Sequence, residues 1–560
     1  MTTLKKPKGI GKDYKELPDE QLEFDTSWVE LFEDNRFLAK FNEEIIREYI
    51  ISQRWYAGKA STIKYIQITN IQPYTIGEKR VHGLVLEVNF REAFVQTYFL
   101  PLVFLEGSPD LPEKAKVCQI LLGKEQGVIV DAIYLDEFRA QVFKNIQESQ
   151  QITTETGTLT FERGSFLSMD EPYESSRLLT GEQSNTSIII NDKYILKIYR
   201  RLYDRANPDY EMSFYLTERK AFPNSPKYAG SVNWVRGNNY SVSVALMQEL
   251  IPNQGDAWEF FLPPTKAFFL KAIQQNRSVE FLPSIQLFSA VAINRVPHEL
   301  YELFGENSIN RVKLLGQRTA EMHVKLGQEI QDLDFTPSNY NSDYTVWLKN
   351  RLIYQYENRV NLLENTLFRL SERSKTLASE FLEYRKQIRD QILSFDETKL
   401  RSQRIRVHGD YHLGQVLVTD DDFYIIDFEG EPESTIRDRK VKQSPLKDVA
   451  GLFRSFHYSI YATIFNNEEE LNADLDYLFE LGEWLYSFMV GIFLDTYVNI
   501  VQENNLNIGY QSEIEYLLRY NILEKAVYEL GYELNARPTW TIIPLKGISQ
   551  ILKSLKSQNG

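Results

Sequence analysis

The sequence predicts an α+β chain in which β-rich segments fill the first half and helices dominate beyond about residue 256 of 560. Three observations carry that expectation. Stretches rich in β-branched and aromatic residues alternate with turn formers, two β-branched runs hinge on Asn191-Asp192, and apolar residues recur at helical spacing over 346–395. The composition, 43% hydrophobic and 25% charged, is that of ordinary folded domains. About three or four domains are expected on a prior of roughly 150 residues each.

The formal charge of −15 argues against a nucleic-acid or anionic-membrane binder. Cys118 is the one cysteine, which excludes an internal disulfide framework and a thiolate metal cluster and suits a reducing cytoplasm. The opening MTTLKKPKGIGKDYKELPDEQ has no apolar leader core, and no uninterrupted apolar run reaches about 18 residues, so a soluble, cytoplasmic protein is expected. The 33 Tyr, 33 Phe and 7 Trp suit carbohydrate contact, and suit core packing better.

Residues 1–22 mix Lys, Gly, Pro and Asp without period and read as a mobile tail. Leu38, Phe41, Ile45, Ile46 and Tyr49 mark a helix leading into Arg54-Trp55-Tyr56-Ala57-Gly58-Lys59, which lacks phosphate-loop spacing and reads as a structural turn. Strands follow at 63–72, 82–90, 94–104, 127–135 and 158–163. The β-branched runs around Asn191-Asp192 read as a hairpin, and a helix with Asp209 at its start follows Pro208. In 346–395 the positions Ile353, Tyr356, Val360, Leu363, Leu367 and Leu370 step by three and four, the mark of a helical hairpin or coiled-coil arm, with an intramolecular pair favoured over a dimer contact. The expected division is a tail over 1–22, a cap over 23–115, a β-rich nucleotide-binding part over 116–250, and a helical part over 251–560 carrying the chemistry.

The sharpest constellation is HGDYHLGQ (408–415) followed by DFEG (427–430). Apolar runs flank a turn at Asp420–Asp422, so a polar loop leads into a β-hairpin that ends in an acid. Asp410 and Asp427 lie 17 positions apart with the Gln415 carboxamide between them. Hard oxygen donors of this kind suit Mg²⁺, which takes its remaining ligands from water and substrate phosphates. Phosphoryl transfer asks for a group to orient the attacking hydroxyl, a metal to neutralise charge, and a cation on the phosphates. Asp410, Gln415 and Asp427 suit the first two needs. Lys197, in a strand between Leu196 and Ile198, suits the third, with Glu211 on the following helix as its partner; a strand lysine held by a helix glutamate is the protein-kinase arrangement.

These motifs resemble the aminoglycoside-phosphotransferase-like branch of the protein-kinase-like fold, and within it the maltokinases. The resemblance spans most of 30–550 and is carried also by RWY (54–56), NPDYE (207–211), MQELIPNQGDAWE (247–259), LGQRTAEMH (315–323), SPLKDVAGLFRSF (444–456) and EKAVYELGYE (524–533). It implies a bilobal enzyme with an N-terminal cap, a β-rich N-lobe and a mostly helical C-lobe, making maltose 1-phosphate from maltose and ATP with Mg²⁺. By the same resemblance Asp410 is the catalytic aspartate, Gln415 and Asp427 are the metal ligands, and Lys197 with Glu211 is the nucleotide-anchoring pair. Gln248, Glu249 and Leu250 fall where main-chain groups read adenine, and Gly181, Ser184, Asn185 and Thr186 where a loop covers the phosphates. Tyr528 and Tyr532 match sugar-pocket tyrosines, with Glu524, Lys525 and His412 as further acceptor candidates. The covering loop has one glycine, Gly181, in place of GxGxxG, and Gln415 stands where the wider branch has Asn.

Taken alone, paired tyrosines on a helix are as often core as pocket. His408 reads as a structural brace for Asp427 or the loop backbone, Asp448 as a helix N-cap or first-turn acid, and Arg454 as a tie from its helix to the catalytic loop. A glucosamine or other sugar kinase, and a pseudokinase scaffold, are the rival functions. The resemblance further implies feeding of α-glucan synthesis beside a trehalose synthase-type enzyme; a monomer or homodimer is expected.

Overall fold

The computed structural model describes residues 22–179, 185–237 and 240–559, with side chains through Leu552. The expected tail lies outside the described residues except for Leu22, which opens the strand Leu22–Phe24. The chain divides into two compact units, Met1–Tyr210 with Lys227–Leu250, and Glu211–Pro226 with Ile251–Gly560.

The first unit is built on two seven-stranded sheets. In one, Ile63–Ile76, Lys79–Phe90 and Val95–Glu106 form an antiparallel meander, and Leu22–Phe24 adds a parallel edge to Lys116–Leu122. Strand pairing carries this sheet on to Asp131, past residue 115. Alternation puts Leu84, Leu86 and Val88 on one face, where they pack with Phe37, Phe41, Ile46 and Ile50 from the helical segment before the sheet. Trp55 and Tyr56 sit in that same core, which accounts for the RWY motif as packing.

The second sheet is antiparallel and holds β1 (Asn185–Ile190), β2 (Tyr194–Tyr199) and β3 (Tyr240–Glu249). The β1–β2 register pairs Ser187 with Lys197, and Asn191 and Asp192 turn the chain at φ 54° and 47°. Positive φ at both central residues matches the right-handed twist of the flanking strands and is tolerated by Asn and Asp better than by most side chains. A fully buried ion pair, Arg200 to Asp131 at 2.6 Å, ties the two sheets together.

The second unit is mainly helical. Its helix α1 (Pro208–Phe214) begins in the first unit; the others that matter here are α2 (Glu306–Leu326), α3 (Ser342–Thr366), α4 (Leu446–Asn466), α5 (Leu475–Glu503) and α6 (Gln511–Ala536). A two-stranded hairpin, β4 (Val416–Val418) with β5 (Phe423–Ile425), stands among them. Helix α5 is long and apolar enough to cross a membrane, yet 67% of its most apolar window is buried in the protein, so it reads as a core helix. The 346–395 segment folds as α3 and the helices Glu372–Glu383 and Arg385–Leu393. It closes on its own chain: Tyr356 packs on Phe381, and the Tyr520 hydroxyl of α6 donates to the Ile392 carbonyl.

Candidate active site

Lys197 lies on β2 between the buried Leu196 and Ile198, because strand alternation sends its side chain to the opposite face. Its Nζ is 3.0 Å from Asp209 Oδ2, and Asp209 is fully buried. The expected partner, Glu211, is engaged elsewhere, by Arg406 at 3.2 Å and Lys440 at 2.7 Å. The helix explains the correction: two positions on α1 rotate a side chain by about 200°, so the acid at the helix start and the acid one half-turn on face opposite ways. Asp209 was visible in the sequence only as a helix-start acid.

The other nucleotide candidates divide. Gly181 and Ser184 lie outside the described residues. Asn185 and Thr186 sit on β1, and the Thr186 hydroxyl accepts from Arg200 Nε at 2.8 Å. Gln248 and Glu249 end β3, with Leu250 next; the Glu249 N–H donates to the Lys227 carbonyl and the Leu250 N–H to that of Lys193, so those two amides are not available to an adenine ring in this conformation.

The loop bearing Asp410 is held from beneath by Asp448 of α4, which is 1% exposed. Its two oxygens accept the N–H groups of His408 and Gly409 at 2.8 and 2.9 Å, and His323 of α2 lies 3.1 Å away. Burial pushes the Asp448 carboxyl up, but His323 and the loop amides more than offset it and hold it below its ordinary range. Gly451 lets α4 approach this loop, since a Cβ there would fall 2.6 Å from the Tyr411 carbonyl oxygen. His408 Nε2 bonds the Ile426 carbonyl at 2.9 Å, the bracing role expected of it. Arg454 does not reach the loop; it pairs with Glu529 at 2.8 Å.

The β4–β5 hairpin brings the two proposed metal ligands together. Gln415 Nε2 donates to Asp427 Oδ2 at 3.0 Å, and Asp427 is held at φ 64°, a left-handed conformation that non-glycine residues adopt at a cost of order 1–3 kcal/mol. Adjacent oxygens around an octahedral Mg²⁺ at 2.0–2.1 Å sit about 2.9 Å apart. A carboxamide turned to offer its oxygen in place of its nitrogen therefore fits beside this carboxylate.

Gly409 and Tyr411, the chain neighbours of Asp410, line a small pocket together with Glu431, Lys447, Glu524, Lys525 and Tyr528, with Gln355 of α3 also in its wall. Lys525 Nζ is 2.9 Å from Asp410 Oδ1 and 3.7 Å from Glu431. Burial pushes the Asp410 carboxyl up, but Lys525 and His412 outweigh it, and the group is held low. Burial followed by the neighbouring Arg351 charge pushes Lys447 down to about 7. His412 caps the next turn, accepting the Gly414 N–H on Nδ1 at 3.1 Å, and its Nε2 lies 4.0 Å from Asp410. Tyr528 lines the pocket beneath Lys525, whose Nζ is 4.8 Å from the ring centre. Tyr532 departs from expectation: one turn further along α6 it is 52% exposed, with Arg537 over its ring. Sequence reading did not single out Glu431, Lys447 or Arg351: Lys447 lies inside SPLKDVAGLFRSF and Glu431 directly follows DFEG, yet neither motif marks them as pocket residues, and Arg351 lies in the segment to which the sequence assigned no function.

Residues 49–134 match the maltokinase N-terminal cap domain, and residues 277–430 match the phosphotransferase enzyme family. The chain carries a maltokinase cap and a phosphotransferase-family domain. Residues 277–430 are thus a phosphotransferase-family domain, and the chain has a bilobal protein-kinase-like α+β fold with an N-terminal cap. The glucosamine kinase of Streptacidiphilus jiangxiensis is 25% identical over 148 residues, 26% of this chain and 32% of the relative, so the match spans about a third of that protein. A solved glucosamine kinase in complex with glucosamine, ADP and inorganic phosphate shares the fold at 15% identity and TM-score 0.59, over 90% of this chain and 98% of that one. A second crystal form of a glucosamine kinase gives TM-score 0.58 at 15% identity, over 91% and 99% of the two chains.

Proposed function

We propose that the protein is an ATP-dependent kinase acting on a hydroxyl of a sugar or amino sugar. The observation that carries this reading is Asp410, set beside a polar pocket by its 2.9 Å contact with the pocket-lining Lys525 on a loop that Asp448 anchors, with Gln415 and Asp427 in contact at the end of the adjoining hairpin. Asp410 would take the hydroxyl proton while the sugar oxygen bonds to the γ-phosphorus and the bond from that phosphorus to the bridging oxygen breaks, releasing ADP. Gln415 and Asp427 would hold Mg²⁺, which supplies neutralisation of phosphate charge when bound. Lys197, kept in place by Asp209, would offer its ammonium to the nucleotide phosphates.

The acceptor is a broader question than maltose. An amino sugar of the glucosamine type is at least as well supported, because the similar proteins are glucosamine kinases, while the match that names maltokinase covers only 49–134. The pocket at Asp410 is built from the second unit, outside that cap. Glu524 also supports a hydroxyl- or amine-bearing ligand: it is buried, and its Oε2 has no hydrogen-bond donor among the described residues. An unpaired buried oxygen of this kind costs about 1–3 kcal/mol until a donor arrives.

Coupled ATP consumption with Mg²⁺ over glucosamine, glucose and maltose tests the proposal, with phosphorus NMR of the product to locate the phosphate. Turnover of glucosamine above maltose is the expected result. Turnover of maltose alone would return the acceptor to the maltokinase expectation, and inertness toward all three would overturn the sugar-kinase reading.

A further inference from the structure

Glu431, Glu524, Lys447 and Lys525 line the acceptor pocket, and from just outside it Asp410 pairs with Lys525 while Arg351 pairs with both glutamates. Among these six described residues the three acids and three cations balance when fully ionised. Two of the cations have limits on what they compensate. Lys525 is shared, 2.9 Å from Asp410 and 3.7 Å from Glu431. Lys447 is 3.0 Å from Glu524, but with its pKa pushed down to about 7 it carries only part of a charge near neutrality. Arg351 is different, because a guanidinium keeps its proton at any working pH. It reaches in from α3 with Nη1 3.6 Å from Glu431 Oε2 and Nη2 against Glu524 Oε1, and its guanidinium lies 5.1 Å from the Trp347 ring centre. Arg351 thus bridges both glutamates of the pocket.

We infer that Arg351 is a specificity-determining residue of the acceptor site: by neutralising Glu431 and Glu524 together, it ranks uncharged sugars against ammonium-bearing ones. This rests on the sugar-kinase reading and deepens it. With Arg351 present, an ammonium entering the pocket meets acids that already have a cation. Without it, the pocket gains a surplus negative charge and the space of a guanidinium beside two carboxylates, which is the environment an ammonium group takes up. Like charges brought together in a desolvated site repel strongly enough to set the order of two otherwise isosteric acceptors. The 346–395 segment thereby has a function, because the helix that carries Arg351 also brings Gln355 to the pocket.

Glucose and glucosamine are the discriminating pair, since they differ at one position by a hydroxyl against an ammonium. Their kcat/KM values, measured below the pKa of the sugar amine, give a ratio for the parent and for Arg351→Met, Arg351→Lys and Glu431→Gln. The glucosamine-to-glucose ratio is expected to rise about tenfold or more in Arg351→Met, to stay within about twofold of the parent in Arg351→Lys, and to fall in Glu431→Gln. Glu431→Gln moves the ratio the other way, so it tests the role of charge in the pocket even if Arg351→Met folds poorly. An unchanged ratio in the folded variants, with both sugars losing turnover alike, would overturn the role of Arg351 and leave the kinase reading intact. Activity of the parent on maltose, with no gain on glucosamine in Arg351→Met, would do the same. A parent inert toward glucose, glucosamine and maltose overturns both.

Discussion

Lys525 Nζ on α6 lies 2.9 Å from Asp410 Oδ1, so a cation from a helix 115 positions downstream holds the proposed base as a carboxylate. Burial by itself would raise the Asp410 pKa; Lys525, with His412 behind it, lowers it on balance. Loss of the Lys525 charge therefore lets the pKa rise, and the carboxylate form appears only at higher pH. Lys525→Met is expected to move the acid limb of the kcat/KM profile to higher pH, and Asp410→Ala to lower kcat by a factor on the order of 10² or more. A pH–rate profile of each variant checks this; an acid limb left in place by Lys525→Met would detach that limb from Asp410.

The pairing of Lys197 with Asp209 separates two acids that lie two positions apart. Asp209→Asn removes the carboxylate that holds the ammonium and is expected to raise the KM for ATP by about tenfold, in line with loss of a buried charged contact. Glu211→Gln is expected to leave the KM for ATP within about threefold of the parent, because Glu211 pairs with Arg406 and Lys440. Initial-rate kinetics at saturating acceptor compare the two. A larger effect from Glu211→Gln would restore it as the partner of the nucleotide lysine.

Asp448 is the acid on which the loop conformation depends. Asp448→Ala leaves the buried N–H of His408 and the half-buried N–H of Gly409 without an acceptor, at about 1–3 kcal/mol for a buried group, so a loss of about 2 kcal/mol in unfolding free energy is expected. The pH sign follows from the depressed carboxyl: its contribution is present in full above the ordinary aspartate range and is lost as pH falls through the lowered value. Denaturant unfolding at neutral and acid pH measures both. Equal stability of parent and variant at neutral pH would remove the anchoring role.

Tyr528 and Tyr532 form a matched control on one helix. Truncating the pocket-lining Tyr528 to Ala is expected to raise the acceptor KM about tenfold or more, whereas Tyr532→Ala, at an exposed position, is expected to leave it within about twofold. Acceptor titrations at saturating ATP distinguish them. Equal effects would place the sugar outside the pocket that Tyr528 lines.

The sequence by itself determined the elements and the chemistry written along short stretches of chain. The Asn191-Asp192 hairpin, the strand position of Lys197 and the loop-hairpin that joins Asp410, Gln415 and Asp427 depend on local spacing and turn preference, which a linear sequence displays. Only the tertiary structure decided which distant charges meet. Asp209 in place of Glu211, Tyr528 without Tyr532, and the gathering of Arg351, Glu431, Lys447 and Lys525 around Asp410 follow from helix rotation and from packing between elements far apart in the chain. The physical reason is that an electrostatic interaction depends on separation in space and on burial, and neither is a property of residue spacing once the contact joins different elements.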